Sequence, residues 1–268
     1  MTAPLLDPGH LHPLSVFLIF SAAAIGGTIN AIAGGGTLVT FPAIVALGVP
    51  PLMANATSTV ALWPGAVSSM WGYRGELAGA RNWIVRFTLP SLLGGGLGAW
   101  LLLHTSDRSF AEIVPFLVLG ATVLFLVQAP LMRWMRGRSL ERAIAPEGVP
   151  PAPPWRFLVA QFAVGIYGGY FGAGVGILML AVLGFMGLTN IHTMNGLKNW
   201  GGLCMNAVAA LLFVASGIVN WPVALAMAAG GLLGGYMGSR LAQRVGQQPV
   251  RRAITVIGFA SFVYLLAR

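Results

Sequence analysis

Long apolar runs alternate with short breaks that are polar or rich in glycine and proline. The runs cover about residues 14–33, 37–48, 54–72, 83–103, 110–128, 157–173, 177–187, 199–216, 221–239 and 250–267. Most are long enough to cross a bilayer as a helix, which needs about 20 residues. The pieces at 37–48 and 177–187 are not, since at about 1.5 Å per residue they reach roughly 16 to 18 Å of a 30 Å hydrocarbon core. Each short piece follows a glycine cluster, Gly34-Gly35-Gly36 in one case and Gly172-Ala173-Gly174-Val175-Gly176 in the other. The pattern predicts an all-α polytopic membrane protein of about ten transmembrane segments, two of them short helices behind glycine breaks. Eight crossings with two re-entrant pieces fit the same pattern.

The chain is similar to itself at an offset of 140 residues. Ala33-Gly34-Gly35-Gly36-Thr37-Leu38 aligns with Ala173-Gly174-Val175-Gly176-Ile177-Leu178, and Asn55 falls on Asn195. Leu92-Leu93-Gly94-Gly95-Gly96-Leu97-Gly98 falls on Leu232-Leu233-Gly234-Gly235-Tyr236-Met237-Gly238. Five segments per copy is an odd number, so the second copy enters the membrane from the opposite side. The expected organisation is two inverted five-segment repeats, 1–128 and 157–268, joined by a cytoplasmic Pro/Arg-rich linker at 129–156. Glycine-interrupted short segments at matching places in two inverted halves point to a transporter with its site at the midplane between them. The glycines at 94–98 and 230–235 read instead as close helix packing.

Composition agrees with a bilayer: 57% of the 268 residues are hydrophobic and 8% charged, where a soluble domain carries roughly 25%. The net charge of +9 sits in clusters between apolar runs, at Arg74/Arg81/Arg86, Arg133–Arg156 and Arg240–Arg252. That spacing is a topology signal, placing those loops in the cytoplasm and both termini outside it. It is not the continuous basic face of a nucleic-acid groove, so no nucleic-acid partner is expected. The beginning, with Asp7, His10 and His12 and no basic residue ahead of the first run, does not resemble a cleaved signal peptide. One cysteine, Cys204, excludes a disulfide within the chain and a Cys-rich metal site. Neither a metal nor a cofactor is expected. Trp63, Trp71, Trp83, Trp200 and Trp221 read as interface anchors.

Lys198 is the one lysine of the chain, and it stands inside an apolar region. If its helix starts near Thr189 as N-cap, Lys198 lies ~13 Å along it, near mid-membrane. A start near Asn195 would let it snorkel to the surface. An intramembrane charge costs roughly 2.5 to 3.5 kcal/mol on insertion scales and faces a cavity or a partner. No acidic residue lies within a span except Glu112, near the end of one, so a cation or proton carrier is disfavoured. A lone cation, amides, hydroxyls and the N–H groups of interrupted helices favour an anion. The candidate substrate-binding set is Asn55, Thr57, Ser58 and Thr59 in the first half and Asn195, Lys198 and Asn199 in the second, with Gly34, Gly35, Gly36, Gly174 and Gly176 at the breaks. Asn30 and Asn206 are further polar positions beside them, and Ser58 is the counterpart of Lys198. His192 reads as interfacial.

Ala33-Gly34-Gly35-Gly36-Thr37-Leu38-Val39-Thr40-Phe41-Pro42, Leu47-Gly48-Val49-Pro50-Pro51 with Asn55-Ala56-Thr57-Ser58-Thr59, the second-half counterpart through Lys198, and Gly235-Tyr236-Met237-Gly238-Ser239-Arg240 carry a resemblance over nearly the whole chain. It resembles the TauE/SafE family of sulfite and organosulfur-anion exporters. The resemblance implies a secondary transporter of the cell inner membrane, moving a small sulfur-containing anion such as sulfite, thiosulfate or a sulfonate, with membrane lipid as its other partner. Relatives often carry small hydroxyl residues just before the lysine. Gly196 and Leu197 stand there in this chain, which implies a larger or less hydrated anion than sulfite. A passive anion channel and a lipid-interacting scaffold are the other non-enzymatic readings. An intramembrane enzyme is disfavoured, because neither a Gly-x-Ser-Gly nucleophile nor His-Glu-x-x-His is present.

Overall fold

The computed structural model describes residues 6–7, 10–77, 79–142, 153–186, 188, 190–242 and 247–267. A two-residue hairpin, β1 (Leu6–Asp7) against β2 (His10–Leu11), precedes ten α-helices. These are α1 (Pro13–Ala33), α2 (Thr37–Ala46), α3 (Pro51–Gly72), α4 (Arg81–Leu103), α5 (Asp107–Arg142), α6 (Trp155–Tyr170), α7 (Val175–Phe185), α8 (Ile191–Ala215), α9 (Trp221–Ala242) and α10 (Gln247–Leu266). Among the described residues four helices, α1, α4, α8 and the 107–127 part of α5, are both long and apolar enough to cross a membrane. α2 and α7, at 10 and 11 residues, span about 15 to 17 Å, half a bilayer core. The short pieces are therefore half-spans.

The polarity is that of a membrane protein turned outward. Phe17, Trp71, Leu89, Phe116, Leu211 and Val256 are exposed, while Thr40, Asn55, Ser58, Gln161, Asn195, Lys198 and Asn199 are buried. In water the exposed set would be a severe defect, but lipid is as apolar as those side chains and leaves the interior free to hold polar groups. An apolar groove of about 360 Å³ on this outer surface, between α1, α9 and α10, includes Ile25, Leu233 and Met237 and none of the candidate site residues.

Two boundaries differ from the hydropathy pattern. α8 begins at Ile191, eight residues before the apolar run, with Asn190 as its cap: Asn190 Oδ1 accepts from the N–H of His192 at 2.9 Å and of Thr193 at 3.3 Å. Thr189, the expected cap, lies outside the described residues. α5 continues helically to Arg142, through the first half of the expected linker, and residues 143–152 of that linker lie outside the description. Trp83 is a correction. It is 1% exposed and packs edge-on against Phe157, with ring centroids 5.0 Å apart, so it is a core residue and not an interface anchor.

Helix starts recur at the offset of the sequence repeat: Pro51 and Ile191, Arg81 and Trp221, Asp107 and Gln247. The packing is crossed between the two stretches of chain. α1 lies on α9 and α6 on α4; α3 lies on α9 and α8 on α4; α2 meets α10 and α7 meets α5. Two three-helix groups result, α1/α3/α9 and α6/α8/α4, meeting where α3 faces α8. Glycines seat these pairs at backbone distance. A Cβ on Gly94 or Gly98 would press on the α6 backbone at Phe162 or Ile166, and one on Gly234 or Gly238 on α1 at Ala24 or Thr28. Gly98→Ala should therefore cost about 1 to 3 kcal/mol through overpacking. Gly120→Ala, with nothing within 4 Å of its Cβ position, should be neutral or gain up to about 1 kcal/mol of helix propensity. Thermal unfolding of the detergent-solubilised protein separates the two.

Candidate functional site

The two glycine breaks touch. α1 ends at Gly34, which takes a left-handed conformation at φ 79°, and α7 begins behind Gly174, likewise left-handed at φ 74°. Both conformations suit glycine because it has no Cβ to clash. Gly176 in the first turn of α7 donates its N–H to Gly34 O at 3.4 Å. A Cβ on Gly176 would lie 2.6 Å from Gly34 Cα and 3.0 Å from Ala33 O. Gly35 and Gly36 are equally confined, the first by the Phe125 ring of α5 and the second by Gly26 O of α1. All five glycines proposed from sequence thus lie in or beside one crossing of interrupted helices.

Lys198 lies against this crossing. It is 2% exposed, and its Cδ would be 3.1 Å from a Cβ on Gly176, so the aliphatic stem lies over the start of α7. Its ammonium donates to Ala31 O at 3.1 Å and Asn30 O at 3.5 Å. These are among the last carbonyls of α1, which have few or no partners inside the helix and carry the negative end of its dipole. The counterpart in the other half is served by an amide. Asn55 Nδ2 on α3 donates to Tyr170 O at 2.9 Å, at the end of α6, and Tyr170 matches Asn30 at the repeat offset. Each helix that ends at a break is thus held by a side chain from the opposite helix group. Trp63 Nε1 on α3 adds a third such link, to Leu203 O of α8 at 3.3 Å.

The remaining polar positions divide. Thr59 Oγ1 bonds back to Asn55 O at 3.1 Å within its own helix, and Thr57 Oγ1 accepts from the N–H of Asn220 at 3.0 Å, ahead of α9. Both hydroxyls are occupied in structural bonds. Ser58 Oγ pairs with Thr40 Oγ1 at 2.7 Å, joining α3 to α2. Asn195 and Asn199 differ from these. One turn apart on α8 and flanking Lys198, both are buried, and Asn195 Oδ1 and Asn199 Nδ2 have no hydrogen-bond partner. Asn55 Oδ1 is likewise unpartnered. A buried polar atom without a partner costs about 1 to 3 kcal/mol, so these amide ends are complementary to a polar occupant. At the breaks, the N–H groups of Val175, Gly176 and Ile177, and of Leu38, Val39 and Thr40, are taken by Gly172 O, Gly34 O, Gly174 O, Gly35 O and Gly36 O. Those of Gly35, Gly36 and Thr37 have no acceptor among the described residues.

Thr40 belongs to the site region yet stood in the sequence only as part of a motif; its signal was position, one turn into the short helix. Thr40→Val leaves the buried Ser58 hydroxyl unpaired and should cost about 1 to 3 kcal/mol, while the double variant Thr40→Val/Ser58→Ala should recover part of that loss. A thermal double-mutant cycle checks it. Gln161, buried on α6, bonds Ser91 Oγ of α4 at 3.0 Å and was also missed. In the turn after α3, burial and the nearby Glu76 carboxylate push the Tyr73 hydroxyl up to about 12. Among the described residues no group of three His, Cys, Asp or Glu could hold a metal ion, and no carboxylate is buried.

A family model described as sulfite exporter TauE/SafE matches residues 19–265. The chain is 29% identical over 253 residues to a probable membrane transporter protein of Haemophilus influenzae, covering 92% of this chain and 94% of the relative. It is 30% identical over 262 residues to the probable membrane transporter protein YfcA of Escherichia coli strain K12, covering 95% and 90%. A probable membrane transporter protein, ORF9, of a Sinorhizobium species is 30% identical over 257 residues, covering 93% and 91%. No solved structure matches the chain.

Proposed function

Because the chain belongs to the sulfite exporter TauE/SafE family, a family of membrane transporters, we propose that it carries a small sulfur-containing anion across the cell inner membrane, as an exporter, by alternating access at the crossing of its two glycine breaks. The observation that carries this reading is the contact of Gly34 with Gly176 beside the buried Lys198. The end of α1 and the start of the half-length α7 meet beside a single cation, and such a crossing of interrupted helices gives one site that either side can reach in turn. Lys198 supplies the counter-charge, Asn199 presents an unpartnered Nδ2 donor on the same face, and the N–H groups of Gly35, Gly36 and Thr37 form a donor cluster of the kind that holds anions. Oxyanions of sulfur, with several acceptor oxygens on a compact centre, suit such a set.

The two-repeat organisation, 1–128 and 157–268 around the 129–156 linker, belongs to the same proposal. Support comes from the recurring helix starts, the paired left-handed glycines and the crossed packing. Thr57 and Thr59 leave the binding set for structural roles, and Ser58 contributes through Thr40. The test is uptake of labelled sulfite, thiosulfate, sulfoacetate and taurine into proteoliposomes holding the purified protein. Saturable uptake of at least one of the four is expected. Linear, non-saturating flux would indicate a channel instead. Asn199→Leu should raise the half-saturating concentration about tenfold, by removing an interaction of roughly 1.4 kcal/mol. Its thermal stability should stay level or rise, since an unpartnered buried amide is removed.

A further inference from the structure

The cradle that holds Lys198 points to how the carrier is driven, an inference that rests on the transport reading above. The ammonium is enclosed, with Ala31 O and Asn30 O as its hydrogen-bond acceptors. A charge removed from water persists only with a partner. The C-terminal end of a helix supplies one in partial form, about half an elementary charge of negative sign. The same end of α6 takes the neutral amide of Asn55 instead, so the α1 end is the one fitted with a cation.

Among the described residues no second titratable group is placed beside Lys198 to carry a proton. α1, α2, α3 and α7 contain no titratable side chain. α6 brings Tyr167, whose hydroxyl is committed to Ala173 O at 2.6 Å, together with Tyr170 and the exposed Arg156; α4 brings the exposed Arg81 and Arg86. The turn after α3 carries Tyr73, Arg74 and Glu76 near Gly196, and α8 itself carries His192 at its exposed start and the buried Cys204. None of the described carboxylates is buried, so no acidic proton carrier stands there.

We propose that Lys198 keeps its ammonium charge when the site is empty, with the carbonyl end of α1 standing in for the anion, so that transport is electrogenic. When a monoanion binds, it replaces Ala31 O as the partner of Lys198, and the loaded site is neutral. The empty carrier returns with one positive charge. An inside-negative membrane potential pulls that charge inward and thereby drives the anion outward.

The test uses the full-length protein in proteoliposomes with labelled sulfite and with methanesulfonate, whose proton is fully dissociated at any working pH. Exchange of labelled for unlabelled anion at zero potential is measured first, and its absence in wild type would remove the transport reading itself. With exchange established, potassium gradients and valinomycin set the potential at equal pH on both sides. Methanesulfonate is expected to distribute toward the positive side, approaching about fiftyfold per 100 mV, and an imposed pH gradient at zero potential should leave it evenly distributed. Lys198→Arg, permanently charged, should retain exchange and the potential response, even at reduced rate. Accumulation that follows the pH gradient and ignores the potential would overturn the proposal. So would a Lys198→Arg variant that exchanges anion but no longer supports net flux, since either result means the lysine sheds its proton in each cycle.

Discussion

Gly34→Ala should abolish anion flux and destabilise the protein by about 2 to 5 kcal/mol. Two separate terms contribute. A non-glycine residue in the left-handed region costs about 1 to 2 kcal/mol, and Gly34 sits there at φ 79°. The added methyl would also run into the Cα of Gly176, where both partners are backbone and neither can rotate away. Gly48→Ala separates these terms. Gly48 is left-handed too, at φ 94°, but has nothing within 4 Å of its Cβ position, so it should show the conformational term alone. Thermal unfolding in detergent and flux in proteoliposomes read both variants. Equal losses at the two positions would mean that the contact between the breaks carries no weight.

Lys198→Met should reduce anion flux about 100-fold while leaving thermal stability unchanged or higher. The flux loss corresponds to roughly 2.7 kcal/mol, within the range for a hydrogen bond to a charged group. The stability expectation runs the other way. Methionine fills a similar volume, and the roughly 2.5 to 3.5 kcal/mol penalty of a charge in the membrane is removed. Against this stand the hydrogen bond to Ala31 O at 3.1 Å, worth about 1.5 to 3 kcal/mol, and the weak 3.5 Å one to Asn30 O, so that loss and gain about cancel. A variant that kept full flux would sink the counter-charge role. One that lost flux and stability together would show Lys198 to be a structural clamp.

These expectations depend on features that differ in how far the sequence exposes them. The breaks were legible because bilayer thickness is a fixed ruler: 10 or 11 helical residues cannot cross it, and the glycines beforehand say where the chain interrupts itself. Lys198 was legible because its charge is isolated. The start of α8 was not, since Asn190, His192, Asn195, Lys198 and Asn199 depress hydropathy over its first turns although the helix is continuous from Ile191. Hydropathy scores contact with lipid, whereas Asn195, Lys198 and Asn199 face protein. The same blindness made Trp83 look interfacial, because proximity to a span end does not say which way an indole points. Thr57, Thr59 and Ser58 looked alike in sequence. Only their partners, Asn220 N–H, Asn55 O and Thr40 Oγ1, separate a strut from a site.

The crossed packing has a consequence for any motion of the carrier. α1 and α3 come from the first part of the chain but are bound to α9 from the last, while α6 and α8 are bound to α4. Neither half of the polypeptide owns a complete bundle. Under the alternating access proposed above, the bodies that move against each other are therefore not 1–128 and 157–268, and the line between the two helix groups passes between α3 and α4 and between α8 and α9. The two stretches of chain are braided, so that fragments 1–142 and 153–268 made separately would each lack the helices on which the glycine faces of α4 and α9 close, and would have to assemble around each other in the membrane before either could hold its shape.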